Sequence, residues 1–308
     1  MAWYLLNLSL CAPAISPTPV SVIVPVRNRP QDIARCLDSL LASDYPTSRL
    51  ELICVDNAST DATPAVLRGY NGRVRIVTEP TLGPAAARNA GVREASGDLI
   101  AFTDSDCVVD REWVRRIVAP LSDESIGIVG GRILAQEPCS SVGLFGEMIH
   151  DHRRAILGFT PPYAITMNIA MRRDVLRTVG GFDERLLRVE DVDLTLRVLR
   201  QGFRLEYCDQ AVIYHRNRDT VRSLMREGFL HGYYAPRIDE LHGDFVGELV
   251  RRARAAPPAE PIPAVVPRIA PWKARLFAKL FYTSRAAGKA ANRRWARQLP
   301  QPCTTSGI

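Results

Sequence analysis

The sequence predicts an α/β fold: a doubly wound, mixed but mostly parallel sheet flanked by helices. Three observations predict it. Short apolar runs rich in Val and Ile, such as residues 20–26, alternate with segments whose apolar residues recur at helical spacing. The 308 residues suffice for a full hydrophobic core. Acidic and amide residues follow two predicted strands, at 56–57 and 104–106, where parallel strands form a ligand-binding edge.

The first half of the chain is predicted as a regular succession of strands and helices. Strands are expected at residues 20–26, 50–55, 74–77 and 98–103, and helices at 30–43, 63–69, 84–95 and 112–118. In the first helix, Ile33, Leu37 and Leu40 share one face, and Pro30 occupies the first turn, where proline is tolerated. Glycines follow the second and third helices and end them.

The second half is less regular. We expect a strand at 126–134, an irregular segment at 136–162, a strand at 164–171 followed by a helix ending at Gly180-Gly181, a helix at 191–201, and two short strands at 203–207 and 211–215. Asp193 is expected on a solvated helix face. Regular patterning weakens beyond Pro236, and the Pro-rich stretch 255–271 predicts a linker.

Charge and cysteine content restrict the class of protein. The net charge of +7 favours an anionic partner such as a nucleotide diphosphate or a phospholipid surface. Nucleic acid is not expected, because the core has neither a recognisable module nor a basic stripe studded with aromatic residues. The seven cysteines are scattered without a C-x-x-C pair, which is typical of reduced core residues in a cytosolic protein.

The two ends of the chain are expected to lie outside the core. Residues 1–19 resemble a signal peptide in their leucine content, but no Lys or Arg precedes Arg27, so a tail is predicted. No apolar stretch approaches the roughly 18 residues that span a bilayer. Residues 272–297 place apolar residues at helical spacing among Lys and Arg, which predicts a basic helix on an anionic membrane. A solvated basic tail and a helix docked on the main domain are the alternatives.

The triplet Asp104-Ser105-Asp106 points to chemistry. It follows the apolar run Leu99–Thr103, at the carboxyl end of a predicted buried strand. Two carboxylates one residue apart form an oxygen site for a divalent cation that also holds a diphosphate.

Seven segments place this triplet in an ordered set: SVIVPVRN, VDNASTD, GPAAARNAG, FTDSDC, MNIAMRRDVLRTVGGFDE, EDVDLTLRV and VIYH. The set resembles the family 2 glycosyltransferases, the GT-A group of inverting enzymes that use nucleotide-diphosphate sugars. The resemblance runs from about residue 20 to residue 215. It implies a GT-A-like domain at 20–235, with a nucleotide-binding half at 20–135 and an acceptor half at 136–235, preceded by the tail 1–19 and followed by a linker and basic helical extension at 236–308.

The resemblance also implies a metal site and a catalytic base. Asp106 would hold Mn²⁺ or Mg²⁺, Asp104 would contact the ribose or a metal-bound water, and His215 would be a further metal ligand. A nitrogen ligand beside carboxylates favours Mn²⁺. In the acidic pair, Asp191 is expected to be the general base, with Glu190 as support or acceptor contact.

The nucleotide pocket is inferred in the same way. Pro25, Val26 and Arg27 would lend backbone to the nucleobase, Asp56 and Asn57 would face the base and ribose, and Arg88 would pair with the diphosphate. Because an amide accepts from a pyrimidine N3–H, uridine and thymidine fit, and guanosine stays open.

The expected partners are a nucleotide-diphosphate sugar, a saccharide or lipid-linked acceptor of cell-envelope polysaccharide synthesis, and an anionic membrane surface at which a cytoplasmic enzyme is peripheral. Two alternatives remain: a nucleotidyltransferase-like enzyme, and a non-catalytic nucleotide-sugar-binding protein at such a membrane. The first usually has a Gly-rich, Lys-containing loop where this chain has residues 26–30. The second would be expected to lose the acidic triplet or the acidic pair, and both are present.

Overall fold

An eight-stranded sheet is the framework of the protein. The computed structural model describes residues 18–256 and 268–295. The strands are β1 (Val20–Val26), β2 (Leu50–Asp56), β3 (Arg75–Thr78), β4 (Leu99–Thr103), β5 (Cys107–Val109), β6 (Ile126–Ala135), β7 (Asn168–Arg172) and β8 (Arg204–His215). The helices are α1 (Pro30–Leu41), α2 (Thr63–Arg68), α3 (Pro84–Glu94), α4 (Trp113–Val118), α5 (Ser141–Ile149), α6 (His152–Leu157), α7 (Arg173–Thr178), α8 (Glu190–Arg200), α9 (Val221–Tyr234), α10 (Pro236–Ala255) and α11 (Pro271–Trp295).

The strand order is β3-β2-β1-β4-β7-β6-β8-β5. β1 pairs in parallel with β2 on one side and β4 on the other, so the chain changes its direction of winding at β1. A doubly wound sheet binds its ligand at such a point, beyond the carboxyl ends of the strands. β7 is antiparallel to β4 and β6, and β5 is antiparallel to β8. The predicted mixed, mostly parallel sheet flanked by helices is confirmed.

Both faces of the sheet are buried, which explains the continuous apolar runs. In β1, Val22 and Val24 belong to one core cluster with side chains of α1 and α4, and Ile23 belongs to a second cluster with α3 and α8. Because successive side chains of a strand point to opposite faces, a strand covered on both sides has no polar positions to interrupt its sequence.

Two predictions of irregular structure are wrong. Residues 136–162 contain α5 and α6, and the weakly patterned region that begins at Pro236 contains α10. α5 has two glycines and is held by tertiary contact, since Phe145 packs against Phe277 with ring centroids 5.8 Å apart. Such short helices depend on distant partners more than on local propensity.

β8 is a single strand where two were predicted, at 203–207 and 211–215. Its register against β6 slips between Gly131 and Arg132, whose partners are Cys208 and Val212. The strand therefore bulges over the polar residues that suggested a break. β5, which was not predicted, pairs with the end of β8.

The basic C-terminal segment forms α11, which is docked on the main domain. Phe281 joins Leu224 of α9 and Phe145 of α5 in a third apolar cluster. A Cβ on Gly232 of α9 would lie 1.8 Å from the carbonyl oxygen of Arg285, so the two helix backbones are in direct contact. The docked-helix alternative is thus the arrangement found.

No helix within residues 18–256 and 268–295 combines the length and apolar character needed to cross a membrane. The predicted tail, apart from its last two residues, and most of the predicted linker lie outside the described residues.

Candidate active site

The ends of β1 and β2 bring five predicted nucleotide-binding residues together. Pro25 and Val26 end β1, and Arg27 follows with an exposed side chain. Asp56 ends β2 and is buried. The amide of Asn57 donates to the carbonyl of Val26 (2.9 Å), which joins the two strand ends.

Asn57 is buried, and its amide organises the loop after β3. Nδ2 donates to the carbonyls of Glu79 (2.9 Å) and Thr81 (2.7 Å), and Oδ1 accepts from the Gly83 amide (2.9 Å). A carbonyl oxygen accepts two hydrogen bonds, so one lone pair remains for a ligand. The sequence predicted that Asn57 contacts the nucleobase; it did not predict that Asn57 holds the loop after β3.

Three non-glycine residues among those described have a left-handed backbone, and all three border this site. Asn28 (φ 53°) follows β1, Ala58 (φ 54°) follows β2, and Val189 (φ 62°) precedes α8. A positive φ is unfavourable for a residue with a Cβ, most of all for β-branched valine. Backbone strain of this kind is concentrated at functional loops.

Asp106 and His215 lie side by side because of strand pairing. Cys107 is directly opposite His215 in the β5–β8 ladder, and the amide of Arg216 donates to the carbonyl of Asp106 (2.9 Å). His215 Nε2 therefore lies 3.5 Å from Asp106 Oδ1. With the Cys107 thiol they form a group of three donor atoms within 4.8 Å of one another.

This group suits a divalent cation. Two ligands each about 2.1–2.2 Å from a shared ion lie roughly 3.0–3.6 Å apart, which includes the observed separation. Carboxylate and imidazole together are accepted by first-row ions. Burial raises the pKa of the Cys107 thiol well above its ordinary value, so it is a poor ligand. Asp106 and His215 are the residues that fit the ion.

Each member of this pair favours the charged form of the other. Burial by itself would raise the pKa of Asp106, but the charge and hydrogen bond of His215, together with Arg29 and Arg218, hold it well below its ordinary value. Burial would likewise lower the pKa of His215, and Asp106 raises it instead.

Arg88 links the acidic triplet to the acidic pair of α8. Its buried guanidinium donates to Asp104 Oδ1 and to Glu190 Oε1, both at 2.8 Å. The guanidinium expected at the diphosphate is thus already shared by two carboxylates. Asp104 is turned towards Arg88 and lies outside the group formed by Asp106 and His215.

Asp191 lies beside Glu190 in the first turn of α8. Burial raises the pKa of Asp191 to about 7, and the charge of Glu190 adds to the increase. A carboxylate with this pKa is matched to accept a proton at neutral pH. Burial raises the pKa of Tyr163 to about 12, and the charge of Asp191 adds to the increase.

Three arginines that sequence reasoning missed line a cavity beside Asp106: Arg29, Arg216 and Arg218. Arg29 and Arg216 both pair with the buried Asp32, at 3.2 Å and 2.9 Å. Arg29 Nη2 also lies 3.8 Å from Asp106 Oδ2. The basic residues directly after β8 were the feature of the sequence that could have indicated Arg216 and Arg218. The cavity lining thus carries three arginines against two aspartates, Asp32 and Asp219.

Asp193, expected on a solvated face, is buried instead. Its Oδ2 accepts from Arg197 (2.6 Å), and its Oδ1 pairs with His242 Nε2 of α10 (2.8 Å). A charge is stable in such a place only with partners. The contact ties α8, which carries Glu190 and Asp191, to the C-terminal extension.

Comparison with known proteins gives a family match. The sequence model of Glycosyl transferase family 2 matches residues 21–180. This range runs from β1 to α7 and contains the acidic triplet, whereas α8 and His215 lie beyond it.

Two relatives extend the similarity. Glycosyltransferase AglE of Haloferax volcanii is 30% identical over 214 residues, which are 68% of this chain and 70% of that protein. Pre-mycofactocin glycosyltransferase of Mycobacterium tuberculosis is 31% identical over 243 residues, which are 75% of this chain but only 50% of that protein. The chain therefore spans about half the length of the mycobacterial relative.

The fold is similar to that of solved glycosyltransferases. Mannosyltransferase PcManGT from Pyrobaculum calidifontis, solved in complex with GDP-Man and Mn²⁺, superposes with a TM-score of 0.56 at 23% identity. The match covers 92% of this chain and 77% of that one. The likeness supports the GT-A architecture.

Proposed function

This chain belongs to glycosyl transferase family 2, and from that premise we propose that it transfers a sugar from a nucleotide-diphosphate donor to a hydroxyl acceptor, with inversion at the sugar carbon. One observation carries the proposal: the Asp106–His215 pair, three arginines and a carboxylate with a pKa near neutrality are gathered at one end of the sheet. The family match favours glycosyl transfer over the nucleotidyltransferase alternative.

The donor is proposed to lie across the ends of β1 and β2. The nucleobase would contact the backbone of Pro25 to Arg27 and the carboxylate of Asp56. The diphosphate would be held by Arg29, Arg216 and Arg218, which take the role that the sequence suggested for Arg88. Their positive charge would stabilise the negative charge that develops on the departing nucleoside diphosphate.

Asp106 and His215 would hold Mn²⁺ or Mg²⁺. A divalent ion bound there would supply positive charge beside the diphosphate. The complex of PcManGT with GDP-Man and Mn²⁺ supports this proposal for a protein of the same fold.

Asp191 is proposed to take the proton from the acceptor hydroxyl. Its raised pKa keeps it basic enough for this at neutral pH. The charge of Glu190 helps to raise the pKa of Asp191, and the ion pair with Arg88 holds the Glu190 carboxylate in place. In an inverting reaction the base acts on the face of the sugar opposite the leaving group, so the transferred sugar would lie between Asp191 and the arginines that hold the diphosphate.

The acceptor is proposed to be a saccharide or a lipid-linked saccharide, reached by a peripheral enzyme at an anionic membrane. Residues 271–295 contain seven Lys and Arg and no Asp or Glu. On α11, Trp272 and Tyr282 are 63% and 60% exposed, and Leu276 lies one turn after Trp272 with 45% exposed. Aromatic and basic residues on one exposed helix favour an anionic lipid surface.

The membrane proposal is tested with substitutions on the exposed side of α11, because removing this docked helix would uncover the apolar cluster beneath it. We expect Trp272→Ala combined with Leu276→Ala to lower sedimentation with anionic liposomes. Arg252→Ala on exposed α10 is the control and should sediment like the wild type. Equal sedimentation of all three proteins would dismiss the membrane surface.

Donor use is tested by a thermal-shift panel of UDP, GDP, TDP and CMP sugars with and without Mn²⁺. A donor that binds the folded state raises Tm by mass action. We expect the increase to require Mn²⁺ or Mg²⁺ and to be lost in Asp106→Ala. Transfer at full rate in excess EDTA would contradict the metal proposal, and the absence of any nucleotide-sugar hydrolysis or transfer would contradict the enzyme.

A further inference from the structure

Asn217 connects two buried imidazoles. Its Oδ1 lies 2.8 Å from His215 Nδ1 and 3.1 Å from His150 Nδ1. Its Nδ2 donates to the carbonyl of Gly143 (2.9 Å). Asn217 is 5% exposed, and each histidine is 9% exposed. Water therefore does not compete for these bonds.

The direction of every hydrogen bond follows from the chemistry of the partners. A carbonyl only accepts, so the NH₂ group of Asn217 faces Gly143 and its Oδ1 faces the imidazoles. An amide oxygen also only accepts, so Nδ1 of His215 and Nδ1 of His150 must both carry a proton. In a neutral His215 the lone pair is then on Nε2, the atom that faces Asp106.

We propose that Asn217 is a positioning residue, which holds His215 in the tautomer and ring orientation that direct Nε2 at a divalent cation. The inference rests on the proposed function, since it assigns His215 to the cation site. Outer partners of this kind orient a histidine ligand and raise its basicity.

The surroundings of Asn217 are built to keep it in place. A Cβ on Gly146 would lie 2.6 Å from Asn217 Cγ, so only glycine leaves room for the amide on this side of α5. Nε2 of His150 lies 3.4 Å from Glu227 Oε1 of α9, and the rings of His150 and His215 meet edge to face at 5.2 Å. The chain of contacts runs from the cation site to α9.

The first test measures Mn²⁺ affinity from the EPR signal of the free ion as protein is added. We expect Asn217→Ala to weaken binding about 10- to 100-fold. Asn217→Asp keeps an oxygen that accepts from His215 but gives up the donation to Gly143, so it should stay within about tenfold of the wild type. If Asn217 only stabilised the fold, Asn217→Ala and Asn217→Asp would have the same Mn²⁺ affinity.

Asn89→Ala is the matched control. Asn89 is also buried, and its amide makes two bonds to Phe182 and one to Glu184, away from His215. This variant should lower Tm while leaving the Mn²⁺ affinity unchanged.

The second test reads the tautomer directly. The chain has five histidines, few enough for ¹⁵N-histidine labelling to resolve the ring nitrogens in long-range ¹H–¹⁵N spectra. The spectra are recorded at a pH high enough for the His215 ring to be neutral, since only a neutral ring has tautomers. The neutral His215 should then show a protonated Nδ1 and an unprotonated Nε2 in the Mn²⁺-free protein with Mg²⁺ added. In Asn217→Ala the two neutral tautomers should mix, and a neutral ring protonated at Nε2 alone in the wild type would overturn the inference even if the alanine variant does not fold.

The outcomes separate the two proposals. If wild-type protein binds Mn²⁺ no better than Asp106→Ala does, the proposal of a cation site at Asp106 and His215 is wrong. Tight wild-type binding that Asn217→Ala leaves unchanged would overturn only the role of Asn217.

Discussion

At the scale of single residues, the proposed reaction depends on a carboxyl group that is kept weakly acidic. Asp191 owes a pKa of about 7 to burial and to its neighbour Glu190. Arg88, which pairs with Glu190 at 2.8 Å, lowers the pKa of Asp191 and so limits the increase. Three residues therefore determine at which pH the proposed base is ionised.

This predicts an acidic limb in the pH–rate profile. We expect kcat/KM to rise with pH through a midpoint near 7, because Asp191 must be ionised to accept a proton. Glu190→Gln removes the neighbouring charge and should move the midpoint to lower pH. Initial rates between about pH 5 and about pH 9 measure it. A profile that is flat over this range would exclude Asp191 as the base.

The same pKa predicts a stability effect of opposite sign to the activity effect. The unfolded carboxyl titrates near 3.9, so between about pH 4 and about pH 7 the folded protein holds a proton that the unfolded chain has released, and stability falls as pH rises. Asp191→Asn should lower kcat by about 10²–10⁴ and raise Tm at about pH 8. Calorimetry and rate assays on one preparation test both. A lower Tm at that pH would mean that the lost rate reflects a damaged fold.

Val189 carries the most unfavourable backbone conformation next to the acidic pair, with φ 62°. Val189→Gly should stabilise the protein by about 1 kcal/mol or less, because glycine adopts this conformation without strain. It should also lower kcat, since Glu190 and Asp191 follow on a looser turn. Urea unfolding and rates, with Val189→Ala as the control that keeps a Cβ, measure the two effects. Unchanged stability in the glycine variant would show that Val189 is not strained.

At the scale of elements, the C-terminal extension is part of the folded unit. α10 holds α8 through the pair His242–Asp193, and α11 packs on α9 where Gly232 admits the backbone of Arg285. The helix that carries the acidic pair is thus braced by a segment beyond the matched family range.

The α9–α11 contact is tested with a pair of glycines. Gly232→Ala should destabilise the protein by about 1–3 kcal/mol, because its Cβ would overlap the Arg285 carbonyl. Gly243→Ala on α10 has no atom within 4 Å of the new Cβ and should stabilise by about 0.4–1 kcal/mol. Urea midpoints and the rate of tryptic cleavage within α11 are the measurements. Equal midpoints for the two variants would show that α11 is not packed as described.

At the scale of the whole molecule, the helices that cover the sheet keep a buried histidine neutral. His152 lies in the core with its Nδ1 bonded to the carbonyl of Gly131 (2.8 Å) and its Nε2 accepting from the amide of Ile165 (2.9 Å). Burial lowers its pKa to about 3. Below about pH 6.5, His152 therefore binds a proton in the unfolded chain but stays neutral in the folded protein.

Acid should accordingly weaken the fold. Because the unfolded chain binds more protons in this window, stability falls as pH decreases from about 6.5 towards 3, by up to about 1.4 kcal/mol per pH unit from His152 alone. His152→Gln keeps a donor and an acceptor but does not titrate, so its stability should depend less steeply on pH. Urea unfolding at several pH values compares the two slopes, which cancels the contributions of other groups. Parallel slopes would contradict a neutral buried His152.

The sequence by itself determined the first four strands and the acidic and amide residues that follow them. Val20–Val26 and Leu99–Thr103 were predictable because strands buried on both faces are apolar throughout. The acidic triplet, the acidic pair and His215 could be proposed as site residues from the sequence, because their residue types and their order along the chain resemble the motifs of the family.

Only the tertiary structure decided which of these side chains meet. Cys107 lies opposite His215 through pairing of strands that are distant along the chain, and this brings Asp106 within reach of the imidazole. Arg88 was assigned to a phosphate but is shared between two carboxylates, and Asn217 was not noticed at all. The physical reason is the same in each case: hydrogen-bond partners, burial and pKa depend on neighbours in space, and a local pattern of residue types records only neighbours along the chain.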